Sequence, residues 1–358
     1  MGLFACLELL YFANVKLLPG EYYLTGKSLL LDVAIVAVLL TVSAVLARPW
    51  RWPEERTRRR PAVMLLGPAA LLAGAAGLAG AWPREQSDIT RRGRGPNIVL
   101  LVIDSLRRDR LPADESGHAP TASIQALARQ GRSFPTAAAA SSWTVPSVAR
   151  MLGVVPRAEG RATLSERLAA AGYVTACFTD NPHMTGGVEI MRGFDRVDRS
   201  VGAWRRLFRN TVLAELIERL APGNDEQLAV KAIAWAGRQE GPVFLYVHLM
   251  DSHAPYRFPP IDGRRRGGRR VEFPLSGMRL TDEEAQDIVA RYDGGIRSAD
   301  AQAGRILAAA GEWGRPFIAL ATSDHGESLG ESGRWFHGQS LAPELLAIPL
   351  VVLGEGVT

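Results

Sequence analysis

Residues 96 to 107 read Pro96-Asn-Ile-Val-Leu-Leu-Val-Ile-Asp104-Ser-Leu-Arg107, an apolar run that ends in a carboxylate. Residues 97–103 do not alternate with polar residues, which is typical of a strand buried on both faces of a parallel sheet. Similar runs predict further strands at residues 173–178, 243–248, 316–322 and 348–353. Helical patterns lie between the strands, at residues 121–130, 144–152, 164–171, 203–220, 225–238 and 281–310. This alternation predicts an α/β fold, a mostly parallel sheet with helices on both faces.

Polar residues stand at or just past the ends of three predicted strands: Asp104, His248 and Asp324. Ligands of parallel sheets gather beyond the carboxyl ends of the strands, so these distant residues are expected to converge on one edge. His325 adds an imidazole beside Asp324, and Thr144 adds a hydroxyl at the predicted start of a helix. Carboxylates, a hydroxyl and imidazoles together predict a metal-assisted ester-cleaving site.

The first 82 residues predict a membrane region. Residues 28–47 carry a single charge and residues 62–82 carry none, and about 20 apolar residues span a bilayer. Residues 3–18 form a shorter, third candidate span. The arginines between the two longer spans favour a cytoplasmic loop, so the chain is expected to emerge on the extracytoplasmic side as a multi-pass membrane protein. The alternative is a buried hydrophobic hairpin of a soluble protein.

The composition limits the class of protein and its partners. Hydrophobic residues make up 47% of the chain and charged residues 22%, which excludes a disordered chain. The net charge of +5 suits an anionic membrane surface or nucleic acid. No nucleic-acid motif accompanies that charge, so nucleic acid is not an expected partner. The two cysteines, Cys6 and Cys177, are not expected to form a disulfide or a metal site.

The segments around these polar residues, with Tyr292-Asp-Gly-Gly-Ile-Arg-Ser-Ala-Asp300, resemble the sulfatase-like branch of the alkaline phosphatase superfamily. Within it they are most similar to membrane-anchored phosphoglycerol and phosphoethanolamine transferases and related hydrolases. The resemblance covers about residues 96–355 and implies a catalytic domain at residues 96–358. Residues 83–95 are polar and rich in Arg and Gly, which predicts a linker. Members of the family usually continue with further strands and helices, so the chain is either a fragment or a shortened form.

The resemblance implies that Asp104, Thr144, Asp324 and His325 bind one divalent metal ion. Sulfatases usually carry two adjacent acids at the end of the first strand, whereas Ser105 follows Asp104 in this chain. With one oxygen ligand fewer, manganese or zinc is favoured over magnesium or calcium.

Thr144 corresponds to the nucleophile of the family. A hydroxyl at a helix N-terminus lies in positive potential, and the free N–H groups there can hold a tetrahedral anion. Sulfatases oxidise a Cys or Ser at this position to formylglycine, an aldehyde that threonine cannot give. Val148 also replaces their arginine, and Arg150 is the nearest substitute. A conventional sulfatase mechanism is therefore not expected; the alternative is that Thr144 only caps the helix.

The remaining histidines fall into two groups, those that resemble functional residues of the family and those without such a resemblance. His253 and His337 resemble family histidines that contact substrate oxygens or protonate the leaving group, a role that suits an imidazole. His248 ends a buried strand and is interpreted as structural, while His118 and His183 are interpreted as surface residues. Glu327 either orients His325 or is solvated.

These residues predict a two-step transfer. Thr144 attacks phosphorus, a phosphothreonine forms, and water or an acceptor hydroxyl or amine takes the group. The substrate is expected to be an anionic ester linked to a lipid or a glycan. Two alternatives stay open: sulfate-ester hydrolysis by an unmodified threonine, and a catalytically inactive, membrane-tethered binding protein.

Overall fold

The computed structural model describes residues 93–111, 120–154, 161–181, 183–184, 189–200, 225–264, 271 and 278–354. The predicted membrane spans, most of the predicted linker and the predicted helix at 203–220 lie outside these residues. Within them, no helix has both the length and the apolar character that crossing a bilayer requires.

Seven strands form one sheet within the described residues: β1 (Asn97–Ile103), β2 (Arg132–Ser133), β3 (Val174–Thr179), β4 (Arg196–Asp198), β5 (Val243–Leu249), β6 (Phe317–Thr322) and β9 (Leu350–Gly354). Their order across the sheet is β2-β9-β6-β1-β5-β3-β4. Five adjacent strands run parallel to one another: β6, β1, β5, β3 and β4. Strand β9 is antiparallel to both of its neighbours, β6 and β2. A small antiparallel hairpin, β7 (Ser328–Leu329) and β8 (Trp335–Phe336), lies apart from the sheet.

The helices cover both faces of the sheet. Side chains of β1 alternate between two hydrophobic clusters, with Leu101 in one and Val102 in the other. The first cluster includes α1 (Ala122–Gln130), α4 (Asp225–Ala236) and α5 (Asp282–Ala310), and the second includes α2 (Thr144–Met151) and α3 (Leu164–Ala170). A short helix, α6 (Pro343–Leu346), precedes β9, and single 3₁₀ turns lie at Arg108–Arg110, Glu189–Met191 and Glu331–Gly333. The predicted α/β architecture is confirmed for these residues.

Helix α5 supports the edge of the sheet where β1 and β5 end. It begins with a capping box in which Thr281 and Glu284 exchange side-chain and backbone hydrogen bonds. A Cβ atom on Gly295 would lie 2.3 Å from the carbonyl oxygen of Asp251, so only glycine allows the loop after β5 to approach this closely. The Asp300 carboxylate accepts the N–H groups of Ser123 and Ile124 at the start of α1. The Tyr292–Asp300 segment thus fixes two neighbouring elements.

The register of the central strands brings their carboxyl ends level. Val102 of β1 lies opposite His248 of β5 on one side and Thr322 of β6 on the other. The N–H of Asp104 extends this pairing by donating to the carbonyl oxygen of Leu249 at 2.9 Å. The residues that follow β1, β5 and β6 therefore meet at one edge of the sheet.

Candidate functional site

Asp104 and Asp324 come together because β1 and β6 are neighbours and end side by side. Both carboxylates are buried. The backbone N–H of Ser105 donates to Oδ1 of Asp324 at 3.2 Å, and the Ser105 hydroxyl donates to Oδ1 of Asp104 at 2.7 Å. Ser105 has a left-handed φ of 59°, a conformation that is costly for a non-glycine residue. In the place of a second acid, this serine orients both carboxylates.

Asp104, Asp324 and His325 form a group that could hold a metal ion. Each offers one ligand atom, and these atoms lie within 4.8 Å of one another. Oδ2 of Asp324 is buried and has no hydrogen-bond partner in the described part of the chain. Nδ1 of His325 lies 2.8 Å from the carbonyl oxygen of Gly326, which leaves the lone pair on Nε2. Nε2 lies 3.4 Å from Oδ2 of Asp324. Since an unpaired buried carboxylate oxygen is costly, this donor set fits a divalent metal ion.

Thr144 lies at the edge of this group. Its Oγ1 is 3.3 Å from Nε2 of His325 and 3.5 Å from Oδ2 of Asp104. Thr144 is the first residue of α2, and the N-cap is the extended residue Trp143, with φ −158° and ψ 163°. The alternative that Thr144 caps the helix is therefore wrong, and its hydroxyl points into the site.

Asn181 was not predicted from the sequence, and His248, predicted to reach this edge but interpreted as structural, contacts both carboxylates. Oδ2 of Asp104 lies 3.1 Å from Nε2 of His248 and accepts from Nδ2 of Asn181 at 3.4 Å. Nε2 of His248 is also 3.7 Å from Oδ2 of Asp324. Burial lowers the pKa of His248, but the bond to Asp104 and the charge of Asp324 outweigh it and raise that pKa. His248 is thus part of the site rather than of the core alone.

The pKa of Asp104 follows from these neighbours. Burial by itself raises the pKa of this carboxyl, but the charge of His253, the hydrogen bond from His248 and the charge of His325 hold it well below its usual range. Asp104 is therefore an anion, the form that a metal ion requires.

His253 and His337 line the same edge. The ring centroids of His337 and His325 are 4.3 Å apart, and those of His337 and His253 are 5.2 Å apart. Nδ1 of His337 lies 3.0 Å from Oε1 of the buried Glu327. Burial lowers the pKa of His337, but the hydrogen bond and charge of Glu327 outweigh it and raise the pKa to about 9. At neutral pH His337 is an imidazolium paired with the Glu327 carboxylate.

Three smaller expectations need correction or qualification. Glu327 is neither solvated nor the partner of His325, because it pairs with His337. Arg150 is exposed in the last turn of α2, at the opposite end from Thr144, and does not replace a charge beside the nucleophile. His183 is exposed as expected, and its backbone N–H donates to Oδ1 of Asn181 at 3.0 Å, so it borders the site. His118 lies outside the described residues.

Two loops are tied to the site by side-chain bonds. The Ser252 hydroxyl donates to the carbonyl oxygen of Asp104 at 2.6 Å, and both residues are buried. Arg107 donates to the carbonyl oxygen of Glu327 at 3.0 Å and pairs with Glu331 at 2.6 Å. The first bond fixes the loop that carries His253, and the others fix the segment that carries Glu327.

A family model described as Sulfatase matches residues 96–358. Among curated proteins, the low-salt glycan biosynthesis sulfotransferase Agl7 of Haloferax volcanii is 24% identical over 273 residues, which are 73% of this chain and 55% of that protein. The chain thus spans about half the length of this curated relative.

Two solved structures share the fold. One is the C-terminal periplasmic domain of EcEptC from Escherichia coli in complex with Zn, with a TM-score of 0.54, 17% identity, and coverage of 73% of this chain and 74% of that chain. The other is the integral membrane protein lipooligosaccharide phosphoethanolamine transferase A from Neisseria meningitidis. Its TM-score is 0.54 and its identity 16%, and the match covers 94% of this chain and 64% of that chain.

Proposed function

We infer the function from the premise that this chain belongs to the sulfatase family and is an enzyme of the alkaline phosphatase superfamily. We propose that it hydrolyses or transfers a phosphate diester through a threonine nucleophile, with one divalent metal ion. The observation that carries this proposal is the position of Thr144. Its buried hydroxyl lies within 3.5 Å of both Asp104 and His325. These two residues form a possible metal-binding group with Asp324, whose Oδ2 has no hydrogen-bond partner among the described residues.

Asp104, Asp324 and His325 would hold the metal ion, with the Thr144 hydroxyl next to it. When bound, a divalent ion lowers the pKa of a neighbouring hydroxyl and offsets negative charge on substrate oxygens. Two carboxylates and one imidazole favour manganese or zinc, and the Zn complex of the EcEptC domain supports zinc.

The transfer itself uses the protein's own side chains. Thr144 loses its hydroxyl proton to water, and its Oγ1 forms a bond to phosphorus while the bond from phosphorus to the leaving oxygen breaks, which produces a phosphothreonine. His337, held as an imidazolium by Glu327, donates a proton to the leaving oxygen, and His253 contacts the other substrate oxygens. Water or an acceptor hydroxyl or amine then takes the group from Thr144.

Variants of Thr144 in the full-length, detergent-solubilised protein test this function. With zinc or manganese and bis(4-nitrophenyl) phosphate, T144A is expected to lose turnover, whereas T144S keeps a hydroxyl and a measurable part of it. A rapid acid quench followed by peptide mass spectrometry should find the 4-nitrophenyl phosphate adduct on Thr144. Full activity of T144A would refute the proposal.

Sulfate-ester cleavage is the second candidate function. It is supported by the name of the curated relative, a sulfotransferase. The ratio of kcat/KM for bis(4-nitrophenyl) phosphate to that for 4-nitrophenyl sulfate separates the two candidates. A ratio above one supports phosphate transfer, and a ratio far below one supports the sulfate ester.

The organisation of the whole chain is also a proposal. Residues 1–82 form a multi-pass membrane region, residues 83–95 a linker, and residues 96–358 an extracytoplasmic catalytic domain. The periplasmic domain and the integral membrane protein that share the fold support this arrangement, and they favour a lipid- or glycan-linked anionic ester as substrate. Reporter fusions after residues 55 and 95 should place the first in the cytoplasm and the second outside it.

A further inference from the structure

Asp104 lies in a four-residue turn that its own backbone closes only weakly. The turn runs from Ile103 to Leu106, and the N–H of Leu106 lies 3.4 Å from the carbonyl oxygen of Ile103, beyond the usual length of such a bond. Its third residue, Ser105, has the left-handed φ of 59°, a conformation that turns normally assign to glycine at this position. A turn with a long closing bond and a strained residue needs support from outside.

The hydroxyl of Ser323 gives that support. The N–H of Leu106 donates to Oγ of Ser323 at 2.9 Å, and the same oxygen lies 2.8 Å from the carbonyl oxygen of Ile103. Both distances are shorter than the 3.4 Å of the turn's own bond. A single side-chain oxygen thus joins the first and last residues of the turn that carries Asp104.

The same hydroxyl also contacts the loop after β6. Its Oγ lies 2.6 Å from the carbonyl oxygen of His325, and Ser323 directly precedes Asp324. A hydroxyl has one proton, so Oγ accepts the N–H of Leu106 and donates to the carbonyl oxygens of Ile103 and His325 one at a time. These backbone groups belong to the two segments that provide all three candidate metal ligands.

Removal of this oxygen would disturb both candidate carboxylates. The N–H of Leu106 would keep only the long bond within the turn, and Ser105 would be free to leave its strained conformation. Because the N–H of Ser105 donates to Oδ1 of Asp324 at 3.2 Å, such a change in the turn would displace Asp324 as well as Asp104.

We propose that Ser323 is a positioning residue of the candidate metal site, whose hydroxyl holds the turn after β1 against the loop after β6. This inference rests on the proposed function, because the two carboxylates need a fixed separation in order to bind one ion together. The side chain of Ser323 is fully buried, and the contacts of its oxygen are backbone groups. It therefore acts through Asp104 and Asp324 and does not contact the substrate.

Metal binding by the full-length, detergent-solubilised S323A variant tests the inference. Zinc affinity, measured by chelator competition, should fall about 10- to 100-fold, the usual effect of removing a group that orients metal ligands. Cobalt(II) binds the same kinds of ligand as zinc, and its visible d–d spectrum reports how the ligands are arranged. That spectrum should change in S323A.

S165A is the matched control. Ser165 is as completely buried as Ser323, and its hydroxyl donates to the carbonyl oxygen of Arg192 at 2.6 Å, in α3. Its loss should lower the thermal stability of the protein but leave the zinc affinity and the cobalt spectrum unchanged. S323T keeps the hydroxyl, so it should bind zinc close to the wild-type affinity, and it decides the question if S323A does not fold.

The outcomes separate this inference from the proposed function. Wild-type zinc affinity and an unchanged cobalt spectrum in S323A would overturn the positioning role and leave the proposed function standing. Equal losses of zinc affinity in S323A and S165A, or in S323A and S323T, would do the same. A wild-type protein that binds neither zinc nor cobalt would remove the proposed function and this inference together.

Discussion

The Nδ1 atom of His337 lies 3.0 Å from Oε1 of Glu327, and Glu327 is completely buried. This pairing joins two residues ten positions apart on either side of the β7–β8 hairpin. The other oxygen of Glu327 has no hydrogen-bond partner among the described residues. The carboxylate is therefore directed at the imidazole, and it explains why His337 is protonated beside the proposed metal ligands.

We predict that E327Q lowers the pKa of His337 from about 9 to near or below the ordinary histidine value of about 6.5. NMR titration of the metal-free protein measures this directly. The control is E331Q. Glu331 lies in the same hairpin but pairs with Arg107, so its neutralisation should leave the pKa of His337 unchanged. An unchanged pKa in E327Q would contradict the assigned partner.

The same pairing predicts a pH-dependent stability of the metal-free protein. The pKa of His337 is higher in the folded state than in the unfolded state, so its contribution is complete below about pH 6.5 and is lost as pH rises through about 9. Chemical denaturation of the wild type should show the free energy of unfolding falling across that window. E327Q should remove this decline, and a decline of equal size in E327Q would assign it to other groups.

Asp324 is predicted to have opposite effects on metal affinity and on the stability of the metal-free protein. D324N removes a charged ligand, so zinc affinity should fall by at least about 100-fold. It also removes the charge from a buried carboxylate with an unpaired oxygen, so the metal-free protein should gain stability, on the order of 1 kcal/mol. Metal titration and urea denaturation check both effects. D109N, at an exposed aspartate after β1, is the control; a loss of stability in metal-free D324N would argue against the metal site.

His248 is predicted to position Asp104 rather than to react. H248F keeps an aromatic ring but cannot donate to Oδ2 of Asp104, so zinc affinity should fall about 10- to 100-fold. Y246F removes only the hydroxyl that lies 3.2 Å from Nδ1 of His248, and its effect should be smaller. Equal zinc affinity in H248F and the wild type, measured by chelator competition, would return His248 to a purely structural role.

Gly295 is predicted to control the loop that carries His253. In G295A the new methyl group would lie 2.3 Å from the carbonyl oxygen of Asp251, so the loop or helix α5 must shift. We expect a loss of about 2 kcal/mol or more in the free energy of unfolding, typical of overpacking against backbone. G311A, where the nearest atom would be 3.4 Å away, should be nearly neutral. Equal stability of the two variants would show that the loop does not need this close contact.

Much of the fold could be predicted from the sequence because the buried parallel strands are continuous apolar runs. The antiparallel direction of β9 could not, since an apolar run carries no information about its direction. Strands β2 and β4 and the β7–β8 hairpin are two or three residues long and give no periodic signal. The ligand candidates followed from strand ends, but the roles of His248 and Glu327 depend on which side chains meet across the sheet edge, which spacing along the chain does not reveal.

Zinc-edge anomalous diffraction from zinc-loaded crystals locates the bound metal ion itself. We predict one strong peak about 2.0–2.2 Å from a carboxylate oxygen of Asp104, an oxygen of Asp324 and Nε2 of His325, with Oγ1 of Thr144 as its neighbour. A peak bound to other side chains, or no peak while these four residues are ordered, would contradict it.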